Sequence, residues 1–277
     1  MSGRVPLSGG GSLAYSAAGV GEPLVLISGL GGLASFWQPL LPFVSTRFRT
    51  ITYDHRGCGH SSGLGGPTSI SAMAADLAAL MDRLGIRAAT IVGHSTGGAI
   101  AQRFALLHPD RVRALVLSAT FARPCAYMQR LFAGRKEILD RLGVEAYRRH
   151  AVTLLNAPYW LARNDAAVEA ELQASEIGPV IDADDIRHRI DAVLAHDALK
   201  ELRLIQAPTK VVVASDDVVT PAYHSAEIAE SIQGASLTVL PRGGHYAIRA
   251  EPDQYCSTLL PFLGVQASAA DLTRTAK

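Results

Sequence analysis

The sequence predicts an α/β fold with a mostly parallel, doubly wound sheet of about eight strands. Two observations predict it: short, uniformly apolar segments recur along the 277 residues, and helical patterns separate them. Apolar runs without alternation are typical of strands buried on both faces of a parallel sheet, and alternation of strands with helices favours a doubly wound arrangement. The predicted strands are residues 24–27, 50–53, 89–92, 114–117, 210–214 and 237–240.

Two further strands are expected at the edge of the sheet. Residues 4–7 and 12–16 flank a serine and three glycines at positions 8–11, which favour a tight hairpin turn. The clearest helix is predicted over residues 71–84, and Gly85 supplies its stop signal. The apolar side chains at helical spacing are Met73, Leu77, Leu80, Met81 and Leu84.

The interval from residue 121 to residue 207 has helical periodicity and no convincing strand. We expect it to be a helical lid inserted into a core domain formed by residues 1–120 and 208–265, with a flexible tail at residues 266–277. A second, independent helical domain is the alternative. Several aromatic side chains either line a substrate pocket under this lid or pack its helices together. They are Phe36, Trp37, Phe121, Tyr127, Tyr159 and Trp160.

Composition limits the possible functions. The formal net charge is +1, so nucleic acid is not an expected partner. The three cysteines, Cys58, Cys125 and Cys256, form neither a metal-ligand spacing nor a disulfide framework. Residues 1–11 lack a long apolar segment behind basic residues, so we expect no signal peptide, and the sequence has no apolar run of about 18 residues. We therefore expect a cytoplasmic protein that binds a small-molecule substrate without a membrane, metal or cofactor; the sequence leaves its oligomeric state open.

A G-x-S-x-G motif marks the candidate nucleophile. Gly93-His94-Ser95-Thr96-Gly97 lies between a predicted buried strand and a helical stretch over residues 99–107. The turn from such a strand into a helix is tight enough to strain the central residue, and glycines remove the Cβ atoms that would collide there. The strain raises the Ser95 hydroxyl above the sheet, beside the positive end of the next helix.

A serine nucleophile needs a base, and that base needs an orienting acid. Asp216 and Asp217 follow the predicted strand 210–214, and His245 follows the predicted strand 237–240. Functional loops of open α/β sheets gather at the carboxyl ends of the strands. The serine, an aspartate and the histidine are therefore expected at one edge of the sheet.

These segments resemble α/β-hydrolase fold enzymes over residues 3–264. The resemblance is carried by residues 26–32 (LISGLGG), residues 53–61, the G-x-S-x-G motif, residues 217–221, and residues 243–245 with Pro252. Within that superfamily the chain is most similar to the 3-oxoadipate enol-lactonases and to the aminoacrylate hydrolase of pyrimidine breakdown.

The resemblance implies that Ser95 is the nucleophile, that His245 is the general base and then the acid, and that Asp217 orients the histidine. Asp217 is preferred because the family places a proline four residues after its acid, where Pro221 stands. Asp216 is then expected to cap a turn.

The resemblance also implies an oxyanion hole made by the backbone N–H groups of Leu30 and Thr96. One departure is Ser28-Gly29, where many relatives have His-Gly. The implied reaction is hydrolysis of a small ester, lactone or related carbonyl compound through an acyl-enzyme. Carbon–carbon hydrolysis, cofactor-free haloperoxidase-type activity and acyl transfer use the same residues and stay open, and a non-catalytic small-molecule receptor is a further alternative.

A dinucleotide site is the main rival interpretation. Residues 29–34 fit G-x-G-x-x-A after a strand, and Asp54 follows twenty residues later. A helix that binds pyrophosphate should continue directly from the glycines, but Pro39 and Pro42 interrupt that stretch.

His55 and His60 are expected to join a buried hydrogen-bond network that braces the active-site loops. His188 and His196 are expected on a solvated helix face, and a position facing the substrate is the alternative.

Overall fold

The computed structural model describes residues 1–7, 10–176 and 182–264. Eight strands form one sheet in the order β1-β2-β4-β3-β5-β6-β7-β8. β2 pairs antiparallel with β1 and with β4, and the remaining pairs are parallel. The predicted α/β fold is confirmed, as are all eight predicted strands. They are β1 (Ser2–Pro6), β2 (Ser12–Ala18), β3 (Glu22–Ile27), β4 (Phe48–Tyr53), β5 (Ala89–His94), β6 (Val112–Ser118), β7 (Thr209–Ala214) and β8 (Ser236–Leu240).

Helices connect the strands and cover both faces of the sheet. The predicted helix at residues 71–84 is α2, which begins one residue earlier because the Ser69 hydroxyl accepts a hydrogen bond from Ala72 N–H and caps it. Gly85 follows it with φ 66°. The helices are α1 (Leu41–Val44), α2 (Ile70–Arg83), α3 (Thr96–Leu107), α4 (Ala126–Leu155), α5 (Pro158–Glu176), α6 (Ala183–Leu194), α7 (Ala222–Ser231), α8 (Ala247–Ala250) and α9 (Pro252–Leu259).

The sheet separates two hydrophobic cores. Alternate residues of one strand enter different cores: Val25 and Ile27 pack with α2 and α3, whereas Leu24 and Leu26 pack with α9 on the other face. This alternation follows from the two-residue period of a strand. It explains why residues 24–27 of β3 are apolar without alternation.

Between β6 and β7, the described elements are all helices. α4 is kinked at Gly143, where φ is 84°, and α6 packs against α4. The junction of α4 and α5 touches the loop after β8, because Tyr246 N–H donates to Leu155 C=O at 3.0 Å. The division into a lid and a core stays a prediction. The tail at residues 266–277 and turn positions 8 and 9 lie outside the described residues.

Candidate active site

Ser95 occupies a strained turn between β5 and α3. Its φ is 55° and its ψ is −121°, a left-handed conformation that is costly for any residue with a Cβ. The two motif glycines are required by close approach: a Cβ on Gly93 would overlap the carbonyl oxygen of Gly97, and a Cβ on Gly97 would overlap that of Ile27. The tight packing therefore depends on glycine at both positions.

The backbone of Ser95 is held by the neighbouring strand and its loop. Ser95 N–H donates to Ser118 C=O at 2.9 Å, and the buried Thr120 hydroxyl donates to Ser95 C=O at 2.6 Å. The backbone N–H and C=O of Ser95 thus both have hydrogen-bond partners. This bonding offsets part of the energetic cost of the strained conformation.

Asp217 and His245 are in direct contact. The Oδ2 atom of Asp217 lies 2.8 Å from Nδ1 of His245, and both side chains are buried. The carboxylate also accepts hydrogen bonds from Val219 N–H, Thr220 N–H and the Thr220 hydroxyl. These bonds fix the carboxylate, and a carboxylate at Nδ1 places the proton of a neutral imidazole on that nitrogen.

Asp216 has a different role in the same loop. Its Oδ1 atom accepts a hydrogen bond from Gly244 N–H at 2.8 Å. The structure therefore brings Asp217, and not Asp216, to the imidazole, while Asp216 holds the backbone that leads into His245.

The His245 ring lies beside the Ser95 turn. Its centroid is 4.8 Å from that of His94, the residue before Ser95. Among the described residues the ring bonds Asp217, and more weakly Thr220 at 3.4 Å, in both cases through Nδ1. No hydrogen bond joins it to Ser95 in this part of the chain, so Nε2 is left without a partner.

Two backbone N–H groups adjoin the Ser95 turn. Leu30 follows Gly29, on which an added Cβ would lie 3.2 Å from Ser95 Cβ, and Thr96 begins α3. Neither N–H donates a hydrogen bond within the described residues. Both are thus free to bind a negatively charged oxygen near Ser95. Ser28, which departs from the family pattern, is buried and its hydroxyl has no partner among the described atoms.

An aromatic cluster surrounds His94. Phe36 stacks on the His94 ring at 4.5 Å, and its centroid is 5.1 Å from that of Tyr246. Burial, together with the nearby His245, holds the pKa of His94 well below its usual value. Phe36 is therefore the predicted pocket residue that contacts the rings next to Ser95 and His245.

For the other five predicted pocket residues the pocket role stays a prediction. Trp37 and Phe121 are fully buried, one in each hydrophobic core. The remaining three have polar or cationic partners. Tyr127 donates to Val218 C=O at an exposed position, Tyr159 donates to Glu251, and the Trp160 ring is covered by the Arg249 guanidinium at 4.4 Å.

His196 was expected on a solvated face, and that prediction is wrong. The side chain is buried, and its ring meets the ring of Phe121 at 5.9 Å. Burial is the main cause that lowers the pKa of His196 to about 4, and the Arg103 charge contributes.

Two buried arginines, on α4 and α6, belong to no motif that the sequence analysis identified. Arg135 on α4 donates to the Tyr147 hydroxyl at 2.7 Å and is only 4% exposed. Arg189 on α6 donates twice to Leu30 C=O, at 2.8 and 3.0 Å. A charged residue within the apolar stripe of a helix is the signal that marks both. The stripes are Met128, Phe132, Arg135 and Leu139 on α4, and Ile186, Arg189, Ile190 and Val193 on α6.

The dinucleotide pattern does not form the structure that it requires. A four-residue 3-10 helix, Ala34–Trp37, follows the glycines in place of a pyrophosphate-binding helix. The Asp54 carboxylate, which would hold a ribose, instead accepts hydrogen bonds from Ala34 N–H and His60 N–H. Asp54 therefore braces the loops after β3 and β4.

A family model described as the alpha/beta hydrolase fold matches residues 22–252. The chain belongs to the α/β hydrolase family. It is 37% identical to a protein of Azorhizobium caulinodans that carries the name carbamate hydrolase RutD, over 94% of this chain and 98% of the relative. This membership confirms the resemblance and establishes the protein as a hydrolase.

Solved structures agree with the family. A hydrolase from Pseudomonas aeruginosa PA01 superposes with a TM-score of 0.87 at 30% identity, over 95% of this chain and 98% of that one. The enol-lactonase from Burkholderia xenovorans LB400 also gives 0.87, at 26% identity, over 95% of this chain and all of that one.

Metal-ligand clusters and membrane-spanning helices are absent from the described residues. In residues 1–7, 10–176 and 182–264, no three histidine, cysteine or acidic side chains come together as potential metal ligands. No helix in the same ranges has both the length and the apolar character needed to cross a membrane.

Proposed function

We propose that this α/β hydrolase is a serine hydrolase that cleaves a small ester, lactone or related carbonyl compound through an acyl-enzyme. The hydrogen bond between Asp217 and His245 is the observation that carries the proposal. A buried carboxylate on Nδ1 makes Nε2 the basic atom, and Ser95 lies on the neighbouring turn.

The reaction then proceeds in two halves. His245 Nε2 accepts the hydroxyl proton as Ser95 Oγ attacks the carbonyl carbon, and the N–H groups of Leu30 and Thr96 bind the oxyanion. Collapse of the tetrahedral intermediate expels the leaving group, which takes the proton from His245. Water, activated by the same imidazole, next attacks the acyl-enzyme and releases the acid.

Names of relatives support this class of bond. One relative is named a carbamate hydrolase and one structural neighbour an enol-lactonase. Both kinds of compound have a carbonyl bonded to a heteroatom, which is the bond that this mechanism breaks.

A buried cation on α4, Arg135, leads us to infer an anionic substrate. Arg135 has no ion-pair partner within 4.0 Å among the described residues, and its Nε atom is buried without a partner. Its charge acts on Tyr246, next to His245: burial raises the pKa of that phenol to about 12, and Arg135 opposes the shift. A substrate carboxylate would compensate this buried cation.

Labelling and turnover test the proposal together. A fluorophosphonate should modify Ser95 in the wild-type protein, and Ser95→Ala should lose both the label and, by roughly 10³-fold or more, the turnover of activated short-chain esters. A panel of esters, lactones and enol-lactones then defines the preferred bond. Near-normal turnover by a folded Ser95→Ala variant would refute the proposed nucleophile.

A further inference from the structure

Arg189 connects α6 to the loop that carries the proposed oxyanion donor. The side chain is 2% exposed. Its Nε and Nη2 atoms donate to Leu30 C=O, Nη1 donates to Arg56 C=O at 3.2 Å, and Nη2 also donates to His55 Nδ1 at 3.0 Å. One guanidinium therefore holds the loops after β3 and β4 at the same time.

The charge of Arg189 is not used in an ion pair. No carboxylate lies within 4.0 Å of it in the described part of the chain, and every acceptor that it contacts is neutral. Burial and the Arg189 charge both hold the pKa of His55 well below its usual value, which keeps that acceptor neutral. Burying a cation is costly without a counter-ion. A residue that served only to pack α6 would be apolar, so the directed donors of Arg189 are the feature to explain.

The loop is shaped to admit this guanidinium. Gly32 has φ 68°, and a Cβ there would lie 3.1 Å from Arg189 Nη2 and would overlap Cys58 Sγ. Only glycine satisfies both the backbone conformation and the close approach at this position.

The contact bears directly on the proposed oxyanion hole. Leu30 presents its C=O to Arg189, whereas its N–H has no partner among the described residues. The C=O and the N–H of Leu30 belong to the two peptide planes that meet at its Cα. Arg189 fixes the first plane with two hydrogen bonds, and Gly32 N–H fixes the second by donating to Gly29 C=O at 2.9 Å. With the first plane fixed, the second, which carries the Leu30 N–H, has less freedom to turn. A preorganised donor stabilises charge without reorganisation during the reaction.

We propose that Arg189 is a positioning residue, which acts from α6 to hold Leu30 so that its N–H binds the oxyanion formed at Ser95. The inference rests on the proposed function and goes beyond it, because it assigns control of the oxyanion hole to a side chain of the region between β6 and β7.

Two substitutions of Arg189 and one control test this role. Arg189→Met removes all the donors, and Arg189→Lys retains the charge but not the paired contact with Leu30. Asp185→Ala is the matched control. Asp185 lies one turn earlier on α6, is buried, and accepts from Leu64 N–H at 3.2 Å, so its loss weakens α6 docking without touching Leu30. Thermal unfolding of each variant monitors the fold.

The readouts are kcat and KM for an activated ester, and the affinity for phenylboronic acid, which forms a tetrahedral anionic adduct with an active-site serine. We expect Arg189→Met to lower kcat and the boronic acid affinity by a similar factor of about 10 to 100, with KM within about threefold of wild type. Arg189→Lys should recover only part of this loss. Asp185→Ala should change neither quantity by more than about threefold.

Separate outcomes identify what has failed. If Arg189→Met resembles Asp185→Ala in both kcat and boronic acid affinity, Arg189 does not position the loop. Should the methionine variant fail to fold, the same comparison is made with Arg189→Lys. A fall in kcat with unchanged boronic acid affinity also overturns the inference. A wild-type protein that is neither labelled at Ser95 nor inhibited by the boronic acid refutes the proposed function itself, and the role of Arg189 with it.

Discussion

Asp216 binds the backbone N–H of Gly244 at 2.8 Å, and so holds the loop that carries His245 without touching its ring. The next residue, Asp217, bonds the ring itself at the same distance. Two adjacent carboxylates therefore support one histidine by different routes, through the backbone and through the imidazole.

Substitution of each carboxylate separates the two routes. Asp217→Asn should lower kcat by about 10³ to 10⁴, because an amide at Nδ1 no longer favours the required tautomer or stabilises the imidazolium. Asp216→Asn should lower it by no more than about tenfold, since the amide oxygen can still accept from Gly244 N–H. Steady-state kinetics on one ester measures both. A larger loss in Asp216→Asn than in Asp217→Asn would contradict the assignment.

Gly97 and Gly134 differ in the space available for a side chain. In Gly97→Ala, the new Cβ would overlap Ile27 C=O and lie 2.5 Å from Ser28 C=O, so we expect a loss of stability of about 1–3 kcal/mol or more and impaired activity. Gly134 lies in α4 with no atom within 4 Å of an added Cβ. Gly134→Ala should therefore stabilise the protein by about 0.5–1 kcal/mol.

Chemical denaturation of the two glycine variants measures these changes. Because both substitutions add one methyl group, the comparison isolates the effect of packing at the Ser95 turn. Equal effects of the two substitutions on the free energy of unfolding would show that the close approach at Gly97 does not exclude a Cβ.

Arg135 should determine selectivity for charge. For a pair of p-nitrophenyl esters that differ only in a terminal carboxylate or methyl group, Arg135→Met should reduce kcat/KM for the anionic ester by about 10- to 100-fold, the usual value of a hydrogen bond to a charged group. The neutral ester should change by less than about threefold. The control is Arg141→Met on the same helix, where the side chain is 75% exposed. Equal losses for both esters would indicate a structural role.

His196 should make stability depend on pH. The unfolded chain takes up a proton at this residue near pH 6.5, but burial lowers the pKa of the folded ring to about 4. Below pH 6.5 the unfolded state therefore binds more protons, and the free energy of unfolding falls as the pH falls toward 4. Between pH 7 and pH 5 this amounts to roughly 2 kcal/mol for one such group.

Denaturant unfolding of His196→Gln at both pH values checks this dependence. In His196→Gln the free energy of unfolding should change between pH 7 and pH 5 by roughly 2 kcal/mol less than in the wild type. His60→Gln should behave like the wild type, since the His60 side chain is 73% exposed. A wild-type difference that persists in His196→Gln would assign the pH dependence to other groups.

Local patterns predicted most of the scaffold. Residues 24–27 of β3 are all apolar because both faces of that strand are covered, and α2 has a regular apolar stripe with a glycine after it. Motif order also placed Ser95, an aspartate and His245 on loops at one edge of the sheet. These properties depend on neighbouring residues and on strand order, which a single chain displays directly.

Pocket composition could not be predicted in the same way. Phe36 and Trp37 are adjacent in sequence, yet the first stacks on His94 and the second is buried in a core. Which of two neighbouring aromatics faces the site depends on the rotation of one short 3-10 helix, and the sequence pattern does not specify that rotation.

By itself, the sequence determined the α/β fold, the family and the tight serine turn, because apolar periodicity and glycine spacing are local properties of the chain. The family resemblance favoured Asp217 over Asp216, but only the tertiary structure showed the bond of Asp217 to His245 and the contact of Arg189 with Leu30 across 159 positions. The physical reason is that a hydrogen bond forms only when the donor and the acceptor lie within a few tenths of an ångström of about 3 Å. The packing of elements that are distant in sequence sets that separation.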